Sequence, residues 1–282
     1  MALDISKVGT SLPEHIATVD ADRCRAYAAA TNDGNPAYES GKYAPPIFAV
    51  VPTWDAVIDG AGTMIPPESL GMVVHGEQDI HYHQPLTPGQ TLKSHAEIYA
   101  VRVGRSGTRF ISRIVSEDEN GSLALEQFNT AFIRGMSDGE GAGPDKPDHS
   151  FPEEARSRPV GEFSIHVDDD QTYRYRDASG DTMPIHVDDA FAKSMGLPGI
   201  IAHGLCTMAM CSQAVIKTVA DGDPGRIKRF AVRFAKPVIP GNDVVVSIFD
   251  SGPRDGRHAY VFEARSVGDV VIKDGLAEVE GS

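Results

Sequence analysis

One feature constrains this chain more than any other: it states the same pattern twice. YAAATNDGNPAYES at 27–40 aligns without a gap to YRDASGDTMPIHVDD at 175–189. Tyr27 meets Tyr175, Ala30 meets Ala178, Asp33 meets Asp181 and Pro36 meets Pro184. A second match follows, APPIFAVVP at 44–52 against LPGIIAHGL at 197–205, and then a third, HQPLTPGQTL at 83–92 against AKPVIPGNDV at 235–244. Matches in the same order at similar separations identify a tandem of two similar domains.

The joint between the copies is visible in composition. Residues 135–159, GMSDGEGAGPDKPDHSFPEEARSRP, are rich in Gly, Pro, Ser and acids with almost nothing apolar to bury, which is linker composition. The expected organisation is therefore a first domain over 1–134, a linker over 135–159 and a second domain over 160–282. Each half opens with a helix-and-turn region carrying the Asp-x-x-Pro element, continues with an apolar helix and ends in strands. The strands are TLKSHAEIYAVRV, GTRFISRIVSE and LALEQFNTAFI in the first half, and RFAVRFA, DVVVSIFD, HAYVFEARS and DVVIKDGLAEVE in the second. Short Gly-, Asp- and Pro-containing turns between them read as antiparallel hairpins. A helix as apolar as 202–217 is poorly suited to a wet surface, so each sheet is expected to wrap its own helix in an α+β fold.

Composition narrows the function. With 282 residues, 41% hydrophobic and 23% charged, the chain has material for a sizeable core. The apolar stretch at 196–216 carries Pro, His, Ser and Gln and reads as a buried helix, not a membrane span. The start, MALDISKVGTSLPEH, lacks the basic-then-apolar pattern of a signal peptide, so the expectation is a cytoplasmic protein. Net charge is −14, which argues against broad nucleic-acid or anionic membrane binding. Cys24, Cys206 and Cys211 form no C-x-x-C pair, and His81 and His83 share a strand face with no further ligands in view, so no metal is expected. One stretch breaks the acidic trend: RIKRFAVRFAK at 226–236 offers Arg226, Lys228, Arg229, Arg233 and Lys236 with no acid. It reads either as a charged edge strand or as a dock for a phosphorylated ligand.

The second copy carries the chemistry. Gly180 permits a tight turn, Pro184 suits a first helical turn, and Asp188 and Asp189 favour its positive end, so a helix is expected over HVDDAFAKSM up to Gly196. Asp181 in the turn and His186 in the first helical turn can then face one cleft. Leu197-Pro198-Gly199 forces a break before the apolar helix starts near Ala202-His203-Gly204. A helix start with a glycine can stabilise a developing oxyanion, and an acid–base pair facing it has the parts for chemistry on a carbonyl. The first copy serves as an internal control. Tyr38 stands where the second copy has His186, and Val50-Val51 where it has His203-Gly204, so that copy is expected to be inert.

GDTMPIH followed by LPGIIAHG resembles the hydratase 2 motif of the MaoC-like dehydratases, R-specific enoyl-CoA hydratases of the hotdog fold. The tandem layout resembles their double-hotdog members, in which one hotdog has lost the motif. The resemblance implies a tandem hotdog fold and a hydro-lyase acting on an acyl-CoA thioester, with no metal or redox cofactor. It assigns Asp181 and His186 as the pair holding one water, and the Gly204 N–H to the thioester oxygen. His186 would take a proton from water as it attacks Cβ, and Asp181 would deliver one to Cα. The degenerate copy would hold a bulky acyl tail around residues 45–67, and the basic run 226–236 would meet CoA phosphates. One departure stands out: the family has Asn before the proline, where this chain has Met183. Two rival readings remain, a dehydratase acting on acyl carrier protein and a non-catalytic acyl-thioester-binding subunit. A further homodimer is left open.

Overall fold

The computed structural model describes residues 2–281. Its elements in chain order are β1 (His15–Thr18), α1 (Ala21–Ala30), α2 (Pro36–Glu39), α3 (Trp54–Met64), β2 (Val73–Tyr82), β3 (Thr91–Gly104), β4 (Gly107–Glu117) and β5 (Leu123–Arg134), then β6 (Pro159–His166), α4 (Gln171–Ser179), α5 (Asp189–Ser194), α6 (Gly204–Val219), β7 (Ile227–Phe234), β8 (Asp243–Arg254), β9 (Arg257–Ser266) and β10 (Asp269–Val279). Two compact units emerge. The first takes the chain up to Thr18, Pro52–Gln84 and Gln90–Asp148; the second takes Val19–Val51, Pro85–Gly89 and the chain from His149 on. By packing, then, residues 19–51 of the first copy lie in the second unit.

Within the first unit the strand order is β1-β3-β4-β5-β2; within the second it is β6-β8-β9-β10-β7. The orders are the same, shifted by five strands, and neighbouring strands within each unit pair antiparallel. Tight turns close the hairpins: Asp255-Gly256 joins β8 to β9 and Val267-Gly268 joins β9 to β10, all four residues at positive φ. Such turns match the right-handed strand twist. The β8 strand runs through Gly252-Pro253 with a register shift between Asp250 and Gly252, where a turn was expected.

In the first unit α3 packs on β3 and β4. Gly60 permits this closeness, because a Cβ there would lie 3.3 Å from the Ser112 Cβ. In the second unit α6 is the core, packed against β6, β7, β8 and β10, with every residue from Leu205 to Ile216 buried. Fully burying each large apolar side chain contributes roughly 1.5–3 kcal/mol, so this helix anchors the unit. At 16 residues it is too short to span a bilayer, and no helix among the described residues is long and apolar enough to cross a membrane. Cys24, Cys206 and Cys211 are free and buried, and burial pushes their thiols above the ordinary range.

The segment read as a linker is tied down more than its composition suggested. Ala142 pairs with Val101, and Arg102 donates to the Ala142, Gly143 and Pro144 carbonyls. Met136 and Ala155 are buried. Of the His81–His83 pair, His81 lies on β2 with its Nε2 3.2 Å from Asp79, and His83 lies just past the strand with its Nε2 3.8 Å from Glu126.

Inside the second unit, α1 packs on α4 as its repeat mate. Arg23 donates to the Ala178 and Ser179 carbonyls at the end of α4, while Gln171 and Arg174 donate to the Ala30 and Ala29 carbonyls at the end of α1. These bonds add side-chain donors to the carbonyls at the helix ends, where intrahelical donors run out. Between the helices the Tyr27 and Tyr175 hydroxyls meet at 3.0 Å, both rings fully buried. The two copies' turns therefore hang from one reciprocal helix pair.

Candidate active site

The local fold explains why Asp181 and His186 meet. Helix α4 ends at Gly180, which adopts φ 84° and returns its N–H to the Arg176 carbonyl at 2.8 Å. That left-handed conformation is natural to glycine, and the repeat mate Asn32 takes it too, at φ 56°. The next residue, Asp181, accepts the Met183 N–H on Oδ1 at 3.1 Å. Pro184 then opens a 3₁₀ turn over Pro184–His186. The expected helix beginning here is corrected: α5 starts only at Asp189, capped by Asp188, whose Oδ1 accepts the Phe191 N–H at 2.9 Å. Two helix-start signals stand in succession, and the second starts the α-helix.

His186 is 8% exposed, and its Nδ1 lies 2.8 Å from the Ile201 carbonyl. A carbonyl only accepts, so the neutral ring carries its proton on Nδ1 and leaves Nε2 as a base. The second histidine, His203, is 2% exposed and donates from Nε2 to the Asp181 carbonyl at 3.2 Å. Its Nδ1 is buried with no hydrogen-bond partner among the described residues. The two imidazoles are stacked, ring centres 3.8 Å apart and planes inclined by 25°. Tyr175 covers the arrangement at 4.7 Å from the His203 ring.

Electrostatics keep both rings neutral. Burial pulls His186 below the ordinary histidine range, against a hydrogen bond to Ile201 and the Asp181 charge that favour its cation. Burial, reinforced by His186, pushes His203 down to about 3. Asp181, His186 and His203 each bring a ligand-type atom within 4.8 Å of the others.

Gly204 follows His203 directly and is the first residue of α6, whose N-cap makes no side-chain bond. Its lack of a side chain leaves room for Phe234: a Cβ would sit 3.1 Å from Cε1 of that ring, a tight contact. The first N–H groups of this helix have no partner within it and are suited to an oxyanion.

Met183 is 52% exposed and makes no capping bond. Its mate Asn35 caps its own turn, accepting the Ala37 N–H at 3.0 Å and donating to the Gly222 carbonyl at 2.8 Å. In that first copy Asp33 accepts the Asn35 N–H at 3.2 Å, as Asp181 does for Met183. Asp33 is buried beside Tyr38 and Gln213, and burial raises its carboxyl above the usual range.

Each basic side chain of the run 226–236 sits in an ion pair. Arg226 pairs with Asp221, Lys228 with Glu280, Arg229 with Glu278, Arg233 with Asp274 and Lys236 with Asp269. Arg229 is 3% exposed and committed to the buried Glu278. Sequence reasoning left His203 and Tyr175 without a site role. The signal for His203 was present, since its mate in the inert copy is Val50.

Comparison with known proteins places the chain in a family. Residues 151–271 match the MaoC like domain, and residues 6–120 match the FAS1-like, dehydratase domain region. The 3-hydroxyacyl-thioester dehydratase Y of Mycobacterium tuberculosis is 31% identical over 240 residues, covering 81% of this chain and 81% of that protein. The probable enoyl-CoA hydratase 2 of Dictyostelium discoideum is 27% identical over 213 residues, covering 74% of this chain and 70% of its own. A crystal structure of a MaoC-like dehydratase from Phytophthora capsici superposes with a TM-score of 0.85 at 25% identity, covering 99% of this chain and 100% of that one. The chain belongs to the MaoC-like dehydratase family, hydro-lyases, in its double-hotdog form.

Proposed function

We propose that this chain adds water to trans-2-enoyl-CoA to give (3R)-3-hydroxyacyl-CoA, and runs the reverse dehydration, with Asp181 and His186 as the catalytic pair. The observation that carries the reading is the His186 imidazole: neutral, tied at Nδ1, and presenting a free Nε2 beside Asp181. The similarity to a hydratase 2 and to a hydroxyacyl-thioester dehydratase supports the reaction class.

The steps follow from the groups in place. A trans-2-enoyl thioester is electrophilic at Cβ because its carbonyl can take up negative charge. His186 Nε2 removes a proton from water as the water oxygen bonds to Cβ, and the π electrons move onto the thioester oxygen. The Gly204 N–H and the start of α6 stabilise that oxygen. As the enolate collapses, the proton taken from water passes from His186 through Asp181 to Cα, which returns the pair to its neutral ring and carboxylate. Dehydration is the same path reversed. Of the basic run, Arg233 and Lys236 have side chains 37% and 55% exposed, which makes them the members of the run assigned here to the CoA phosphates.

The test is the fall in ultraviolet absorbance of the enoyl thioester when protein meets crotonyl-CoA, a long-chain 2-enoyl-CoA and the matching carrier-protein ester. Turnover of CoA esters by wild type, absent in Asp181→Asn and His186→Ala, supports the reading. Turnover of the carrier-protein ester alone overturns the CoA assignment, and no turnover by folded protein overturns the reading itself.

A further inference from the structure

The Asp181–His186 pair needs more than proximity to work, because an imidazole held at one edge by a single bond can still swing about that bond. His186 has one such bond, from Nδ1 to the Ile201 carbonyl at 2.8 Å. What covers its flat face is His203, stacked at 3.8 Å. The same His203 donates from Nε2 to the Asp181 carbonyl at 3.2 Å, reaching the backbone of the other member of the pair. His203 is itself held from behind by Tyr175, whose ring centre is 4.7 Å away and whose hydroxyl meets Tyr27.

The first copy supplies a contrast. There the turn is braced by Asn35, which both caps Ala37 and donates to Gly222. The position matching His203 is Val50, buried and without a side-chain donor. In the second copy the asparagine is replaced by Met183, which makes neither bond, and the donor to the turn comes from His203 instead. One turn is braced from inside its own loop and the other from the start of α6.

We infer that His203 is a positioning residue for the hydration reaction: one ring holds the plane of His186 by stacking, which keeps its Nδ1 on the Ile201 carbonyl, and holds the placement of Asp181 by its Nε2–H bond. The inference rests on the reading that Asp181 and His186 handle protons. His203 touches neither water nor substrate in this role; it acts through the two groups that do. The groups facing it are His186 from the 3₁₀ turn, the Asp181 peptide from the loop, and Tyr175 from α4, whose hydroxyl meets that of Tyr27.

Two substitutions separate its contacts. His203→Phe keeps the stacked face and removes the donor to Asp181. His203→Gln keeps a side-chain amide able to donate and removes the face. Each is expected to lower kcat about ten- to a hundred-fold, the cost of a small misplacement near the chemistry, while KM stays within about twofold. In His203→Gln the His186 ring gains hydration, so its titration moves up toward the ordinary histidine range and the acid limb of the kcat profile moves up with it.

A readout independent of turnover completes the test. Long-range proton–nitrogen correlation spectra of the imidazoles report tautomer and titration directly, with His186→Ala assigning the signals. Wild type is expected to show His186 as the Nδ1–H tautomer and His203 as the Nε2–H tautomer. His203→Gln is expected to turn the His186 signal into a mixture of tautomers. An unchanged His186 tautomer and titration in both variants overturns the inference even if wild type proves inactive. Loss of activity that tracks only the fraction of folded protein, with unchanged spectra, overturns it as well.

Discussion

The carbonyl of Asp181 accepts a hydrogen bond from His203 Nε2 at 3.2 Å, and the ring that donates it lies face to face with His186. One backbone atom and one ring face thus join the turn that carries the acid, the 3₁₀ segment that carries the base and the helix start that follows them. Their relative placement is set by buried contacts, not by the solvent-facing loop around them.

Met183→Asn should strengthen that loop. Asn35 shows what an amide does at the matching position, capping α2 by accepting the Ala37 N–H. Installing the same cap is worth about 1 kcal/mol. The expected result is a raised melting temperature with hydration at least as fast as wild type. A lower melting temperature would show that Met183 contributes packing that its exposure hides.

Asp33→Asn should alter the pH dependence of stability. Burial raises the folded pKa of Asp33 above its unfolded value, so between those values the folded state holds the extra proton. Stability from this group is full below the unfolded pKa and is lost as pH rises through the folded pKa. Asn resembles the protonated carboxyl, and so the variant should match wild type in acid and be the more stable above that window. Melting curves across a pH series check this, with parallel wild-type and variant profiles the contrary result.

Gly204→Ala should damage the site more than the fold. Its Cβ would press within 3.1 Å of the Phe234 ring, tight enough to shift either the ring or the helix start. Overpacking of this kind costs typically ~1–3 kcal/mol. A fall in kcat is expected, partly restored when Phe234→Leu is added. If Phe234→Leu restores nothing, the ring is not the obstacle.

Arg233→Ala and Lys236→Ala should raise KM for CoA esters and leave the short pantetheine thioester, which lacks the nucleotide phosphates, unaffected. Both side chains reach solvent and pair with Asp274 and Asp269, and ion pairs open to water contribute little to stability. Equal effects on both substrates would remove them from phosphate recognition.

Much of this arrangement was legible in the sequence because the repeat is a physical one. Tyr27 and Tyr175, Asp33 and Asp181, and Pro36 and Pro184 occupy matching places in the two turns, and even the left-handed residue is shared, as Asn32 and Gly180. The edge strands β1 and β6 escaped notice because one is four residues long and both alternate weakly between half-buried and exposed. The start of α5 was misplaced because Pro184 and Asp188 both signal a helix, and only the Asp188–Phe191 bond distinguishes them. Residues 135–159 looked unstructured by composition, yet backbone pairing such as Ala142 with Val101 needs no apolar side chain. The stacking of His203 on His186 was hidden for a different reason: it joins residues from separate elements, and no local pattern records it.

The central claim is that a neutral His186 with Asp181 carries the hydration, and the most direct measurement is kcat/KM on crotonyl-CoA as a function of pH, for wild type, Asp181→Asn and His186→Ala. Burial lowers the pKa of His186, so the neutral base should persist into mild acid and activity should fall only as pH drops through that lowered value. Each variant should lose roughly 10²–10⁴-fold, the usual worth of general acid–base assistance, while melting like wild type. Wild-type rates in His186→Ala, or an acid limb that survives its removal, would contradict the account.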